Sequence, residues 1–227
     1  MTGASRDQVT VSGPDTWTFL QNLLSQDLDD IADSERRLTL LLTPQGKVDV
    51  AAGITRRGDD AVLDTDTGWG ERLAASLARF KIRTKVEISI APGRPATEDE
   101  ERARIAAGMP RMGAELDDGV IPQEAFLDAD AVSFTKGCFV GQELVCRIDT
   151  RGHVNRYLRH LRPGDPSVSL PVGGEVVVDG KVAGSVTSSA PGVSLGYVRR
   201  EVEPPAECTV DGAPVRIEVI APSGSIG

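Results

Sequence analysis

Cysteine, histidine and aromatic residues are all scarce in this chain of 227 residues. The three cysteines, Cys138, Cys146 and Cys208, form no C-x-x-C pair and are odd in number. That argues against a disulfide framework and against a self-contained four-thiolate metal site. Two histidines, His153 and His160, are too few for a histidine-built centre, so no stably bound metal is expected. Long apolar runs are missing too, and no basic stretch leading into an apolar one opens the chain. A cytoplasmic protein without membrane contact is expected. Basic charge is in short supply: 25 Lys and Arg stand against 34 Asp and Glu, a net charge of −9. Direct nucleic-acid binding is therefore not expected. What remains is ordinary globular material, with 40% hydrophobic residues, enough to core one large or two modest domains.

Gly13-Pro14-Asp15 has the chemistry of a helix start, and Trp17, Leu20, Leu24, Leu28 and Ile31 follow at helical spacing. The spacing predicts one helix with a face built for burial. Strands are predicted over 37–43 and 48–55, joined by the turn Pro44-Gln45-Gly46-Lys47, and again over 61–64. A second helix carries Trp69, Leu73, Leu77 and Phe80, and residues 85–90 alternate as a strand. Helix, three strands, helix and strand in that order indicate an α+β layer of helices on an antiparallel sheet. Residues 91–95 read as a linker. Thr97 with Glu100 three residues on predicts a capped helix ending near Gly108-Met109-Pro110. From about residue 162, short strand-like runs separated by Asp179-Gly180, Pro191-Gly192 and Asp211-Gly212 indicate a small β-barrel or sandwich. The expected divisions are 1–90, 91–153 and 154–227.

Chemistry concentrates in Lys136-Gly137-Cys138-Phe139-Val140-Gly141-Gln142-Glu143. Val140, Leu144 and Ile148 recur at helical spacing, which sets Cys138 at or just before a helix N-terminus with Lys136 two residues away. Both influences would lower the thiol's pKa and favour the thiolate. A buried structural cysteine in a tight turn fits the same pattern. From residue 136 to 162, six Lys and Arg face two acids, a local charge of +4. Such a segment suits a docking anion, or a set of partners for the surplus acids elsewhere.

The octapeptide resembles the signature of the YgfZ-type folate-binding proteins, relatives of the glycine-cleavage T-protein (aminomethyltransferase). Further blocks match in the same order: Gly13-Pro14-Asp15 with 19–27, Leu42-Thr43-Pro44-Gln45-Gly46-Lys47-Val48, 104–110, and Ile121-Pro122-Gln123-Glu124. The resemblance implies a T-protein-like folate-binding region followed by a small C-terminal β-barrel. Its implied cofactor is tetrahydrofolate or a derivative, and its implied role is support of iron–sulfur cluster assembly or repair, including the clusters of tRNA-modifying enzymes. Folate and iron–sulfur client enzymes are the implied partners. In that reading Cys138 is the reactive or cluster-contacting thiol and Lys136 tunes it. Asp49, Arg104, Glu124, Gly137, Gln142, Glu143 and Arg151 are the implied folate-site residues.

Blander roles stay open for several of these residues: Asp49 as a solvated edge-strand residue, Arg104 as a partner of Glu100 and Glu101, Glu124 as a turn cap. Val50 stands where the T-protein has the second acid of an Asp-Asp pair, and the T-protein's Gly-Tyr-Thr-Gly-Glu stretch has no counterpart. Both departures weigh against the alternative of aminomethyl transfer. A cysteine-nucleophile enzyme using Cys138 with His153 is a further alternative.

Overall fold

The structure, a computed structural model, describes residues 6–220. They form two compact units. One comprises the described residues up to 96 with 116–122 and 127–152; the other comprises 97–115, 123–126 and 153 onward. Together they are α+β, one unit a helix-bearing antiparallel sheet and the other a closed six-stranded antiparallel barrel. No helix among the described residues is long and apolar enough to cross a membrane.

The sheet unit has strands β1 (Arg6–Ser12), β2 (Arg36–Leu42), β3 (Val48–Arg57), β4 (Asp60–Asp66) and β5 (Glu87–Ala91), in the order β2-β3-β4-β1-β5. The strand β1 is missing from the sequence reading. Its signal is only Val9-Thr10-Val11 among polar neighbours, yet both valines are fully buried and the strand pairs on both edges. Helix α1 (Thr16–Leu23) is shorter than its apolar stripe predicts, because Leu24 turns extended with φ −86° and ψ 150°. Leu28 and Ile31 are still buried, 2% exposed each, but from irregular chain. The helical period there marks burial, not helix.

Helix α2 (Gly70–Ala78) is anchored by Asp7. Its carboxylate accepts from the N–H groups of Gly68 (2.8 Å), Gly70 (2.9 Å) and Gly93 (2.8 Å). Burial pushes the Asp7 carboxyl up, and the amides outweigh it and hold it below its ordinary value.

The other unit opens with α3 (Glu98–Ala106), whose capping box is the predicted one: Thr97 and Glu100 exchange backbone-to-side-chain bonds of 2.8 and 3.3 Å. Its barrel is built from β6 (Arg156–Pro163), β7 (Glu175–Val178), β8 (Lys181–Ala190), β9 (Val193–Arg199), β10 (Ala206–Val210) and β11 (Ala213–Glu218). The order around the barrel is β10-β11-β6-β9-β8-β7. Asp179-Gly180 and Asp211-Gly212 both take left-handed conformations at both residues, the geometry of two-residue hairpin turns. Of the cationic stretch only Arg156, Arg159 and Arg162 fall on β6, where they are half-buried while Leu158, His160 and Leu161 are buried.

Candidate functional site

The signature occupies a loop between α4 (Asp128–Ala131) and α5 (Gln142–Arg151). Lys136 is 8% exposed. Its ammonium donates to the carbonyls of Gln21 (2.7 Å), Leu24 (2.8 Å) and Gln26 (2.8 Å), with Gln21 Oε1 at 3.2 Å. The Gln21 and Leu24 carbonyls lie at the C-terminal end of α1, where helical carbonyls lack partners and a cation is favourable, and that of Gln26 follows just beyond. Burial pulls the ammonium down to about 8, against Asp27 and Asp29, so it is still largely charged at neutral pH. All three of its donors are therefore spent on the end of α1 and the chain just after it. In this arrangement Lys136 anchors the loop.

Phe139, 6% exposed, is the second anchor, its ring centroid 5.6 Å from the Lys136 ammonium. Cys138 is exposed between the two, next to Gly137, around which a side chain would meet nothing within 4 Å. The residue capping α5 is Gly141, in the left-handed region at φ 79°. Cys138 thus lies three positions before the cap, outside the turn where the macrodipole acts. A Cβ on Gly141 would sit 2.5 Å from Thr43 O and 3.0 Å from Gly46 Cα, and one on Gly46 would sit 3.0 Å from Gly141 O. The hairpin block and the signature block, separate in sequence, meet backbone to backbone through these glycines.

The remaining expected residues scatter around this loop. Gln142 is half-buried and its N–H donates to Phe139 O at 3.3 Å. Glu143 points into solvent and pairs with Arg147 one turn on, at 2.6 Å. Arg151 ends α5, and its side chain lies outside the described residues. Asp49 lies at the bulge where the β2–β3 register shifts, and its side chain is 12% exposed. It is neither solvated nor on an edge strand, since Arg72 of α2 donates to it at 2.8 Å. Val50 beside it is fully buried in the sheet core.

In the barrel unit, Arg104 has all five N–H groups in use. They reach both oxygens of Glu101 (2.9 and 2.7 Å), Glu115 Oε2 (2.9 Å), Met109 O (2.5 Å) and Ser188 Oγ (2.7 Å). All five of its donors are engaged within the protein, and the partnership with Glu101 is the one its helical spacing suggests. The Glu115 carboxylate has no exposed surface and also accepts from Thr187 Oγ1 at 2.8 Å.

Glu124, on the 3-10 turn Pro122–Ala125, is buried and accepts from Arg156 at 3.3 Å. The Arg156 guanidinium lies 4.3 Å from the Tyr197 ring centroid. Next to it Phe126 stacks on Tyr157 at 5.4 Å and 12°, with the phenylalanine backbone in the left-handed region at φ 57°. Arg159 lies 4.9 Å from the Tyr157 centroid and 5.5 Å from that of Phe126. Its Nε is buried without a hydrogen-bond partner among the described residues, and burial lowers its pKa. The sequence shows these arginines only as charge. Their aromatic company comes from alternation along β6, which the charge count hides.

Among the described residues no group of three or more His, Cys, Asp and Glu could hold a metal ion. The three cysteines are free: Cys138 exposed, Cys146 half-buried, Cys208 buried. Burial raises the thiol pKa of Cys146, helped by Asp149, and pushes that of Cys208 up to about 11. Cys138 should therefore be the first thiol labelled by iodoacetamide, with Cys146 following only at more alkaline pH and Cys208 only on unfolding. Peptide mass spectrometry across about pH 6 to 9 reads this out; equal labelling of the three would contradict it.

The architecture is that of the T-protein class. Over 96% of this chain and 84% of the other, it superposes on the glycine cleavage system aminomethyltransferase T from Bartonella henselae with a TM-score of 0.83, at 16% sequence identity. No family model matches the chain. Among curated relatives it is 25% identical to an aminomethyltransferase of Nostoc over 93% of this chain and 52% of that one. It is 24% identical to a mitochondrial iron–sulfur cluster assembly factor IBA57 homolog of Chaetomium globosum, over 87% of this chain and 63% of the relative. It is 34% identical to the tRNA-modifying protein YgfZ of Yersinia pestis over 50% of this chain and 31% of the relative. The chain spans about half the length of the first of these relatives. In sequence it is similar to members of the T-protein (aminomethyltransferase) superfamily, YgfZ and IBA57 homologs among them, and in fold to the T-protein itself.

Proposed function

We propose that the protein is a cytoplasmic tetrahydrofolate-binding factor that supports iron–sulfur cluster assembly or repair, including the clusters of tRNA-modifying enzymes. The observation that carries this reading is Cys138, a solvent-exposed thiol on a loop anchored on both sides by Lys136 and Phe139. A lone thiol cannot hold a cluster stably, so its contact with a client's cluster is shared and transient. Relatives named for cluster assembly and tRNA modification support the cellular role.

Folate binding draws support from the barrel unit. Arg159 carries a desolvated charge with no carboxylate paired to it among the described residues, beside two stacked rings. An unpaired buried cation is costly, and planar aromatic acids relieve it by stacking and by charge. Arg159, Phe126 and Tyr157 would hold the aminobenzoyl-glutamate part of a folate, with Glu124 and Arg156 at their side. When bound, tetrahydrofolate supplies a reduced carrier of one-carbon groups.

Aminomethyl transfer is the weaker reading, because the position of the second catalytic acid is Val50, fully buried among apolar side chains. An ionised carboxylate there would meet the full desolvation cost.

Titration with tetrahydrofolate under reducing conditions tests the proposal. At a hundredfold excess over Kd, linkage stabilises the fold by about 2.7 kcal/mol, a rise of roughly 5–10 °C in melting temperature. No shift at millimolar ligand removes folate from the account. Methylene-tetrahydrofolate produced from an aminomethyl donor would instead restore the transferase reading.

A further inference from the structure

Between α2 and β5 the chain runs Arg79-Phe80-Lys81-Ile82-Arg83-Thr84-Lys85, four cations and no acid in a protein of net charge −9. All four basic residues are exposed, and none of their side chains forms an ion pair or hydrogen bond among the described residues. Two large apolar residues are exposed with them: Phe80 is 40% accessible and Ile82 77%. The loop is nonetheless well tied. Phe80 N–H donates to Leu77 O (3.0 Å), Lys81 N–H to Ala78 O (3.1 Å) and Ile82 N–H to Phe80 O (2.8 Å). At the far end Lys85 N–H donates to the Asp15 carboxylate at 2.7 Å. Arg83 holds a left-handed backbone at φ 58°, a conformation uncommon for a residue with a side chain. The result is an ordered turn that thrusts an isoleucine into water.

Beside the turn runs a groove of about 360 Å³ against α1, lined by Asp15, Thr18, Phe19, Asn22, Leu23, Phe80 and Thr84, with the Asp15 carboxylate already accepting from Lys85 N–H. Its walls are apolar at Phe19, Leu23 and Phe80, and the cations of the adjoining turn lie beside it, the pattern of a pocket for one buried side chain with steering charge at its side. We propose that this turn and groove dock an acidic segment of a partner protein, which seats an apolar side chain against Phe80 while its carboxylates meet Arg79, Lys81, Arg83 and Lys85. Charge complementarity selects an acidic partner. The aliphatic Ile82 and the side-chain-sized groove favour a peptide chain over a nucleic acid, whose bases stack on aromatic faces and whose phosphates gain nothing from isoleucine. An exposed apolar patch rimmed by charge on an otherwise acidic surface is the usual mark of such a site. The surface belongs to the sheet unit alone and does not depend on folate binding.

The test uses the full chain and a fluorescein-labelled twelve-residue peptide, rich in Asp and Glu around a central Leu-Phe pair, read by anisotropy. Micromolar binding is expected, about tenfold weaker for Lys81→Glu with Arg83→Glu, and several-fold weaker for Ile82→Ser. Salt should weaken the wild-type complex far more than that of the double variant. The tetrahydrofolate-induced melting shift should be the same in all three proteins, which separates this surface from the proposed folate function. Four outcomes overturn the proposal: no peptide binding; equal binding when Leu-Phe is replaced by Ser-Ser; a single-stranded RNA of equal charge binding as tightly; or concentration-dependent self-association abolished by Ile82→Ser, which would assign the turn to a contact between copies.

Discussion

Lys136→Met should lower the stability of the fold by roughly 3 kcal/mol, and do so without moving the pH profile of Cys138 alkylation. The ammonium is the donor for the Gln21, Leu24 and Gln26 carbonyls. Methionine matches its length but leaves those acceptors unsatisfied where water is excluded. Each orphaned buried acceptor costs about 1 kcal/mol or more. Arginine should rescue little, since a planar fork cannot aim three donors at one cluster of carbonyls. Urea unfolding reads the loss, and iodoacetamide labelling below the transition reads the thiol. The opposite pair of results, unchanged stability with alkylation displaced to higher pH, would show that Lys136 acts on the sulfur after all.

Arg104→Met should be as severe, costing about 3–5 kcal/mol, because it strands the Glu115 carboxylate with no cation in contact and no exposed surface. The defect should appear as a lower melting temperature without ligand, not merely as lost ligand affinity. It should also depend on pH. Hydrogen bonds from Arg104 hold the Glu101 carboxyl below the ordinary value of 4.5, against the upward push of burial. A carboxyl depressed in the folded state binds fewer protons than in the unfolded chain. Its stabilisation is therefore complete above that value and is lost as pH falls through the folded pKa. The gap between wild type and variant should be full at neutral pH and narrow in acid. A gap that widened in acid would contradict this arrangement.

Both residues show what a sequence hides. Lys136 is bonded to residues 110 to 115 positions away and Arg104 to Ser188, 84 positions away. Neighbours in sequence pointed to a thiol for the one and to Glu101 for the other, and only the second of these pairs forms among the described residues. Local chemistry was legible: the Thr97–Glu100 capping box, the Asp-Gly hairpin turns and the hairpin around Gly46 stand where the pattern puts them. Periodicity failed where burial and helix part company, at Leu28 and Ile31. It failed again where charge masks alternation, as in β6. The thiol was found by motif; the Arg159–Phe126–Tyr157 cluster was not, since its members carry no shared spacing.

The contact between Gly46 and Gly141 sets a limit on how this scaffold can vary. With backbone laid directly on backbone, the reach of the hairpin fixes the height at which the sulfur-bearing loop leaves the sheet. A single residue inserted into that hairpin would lift the whole signature from its seat, whereas a side chain added at the crest, Gly137, would begin in open space. Evolution can decorate the summit of this loop at will, but the length of the strut beneath it is not negotiable.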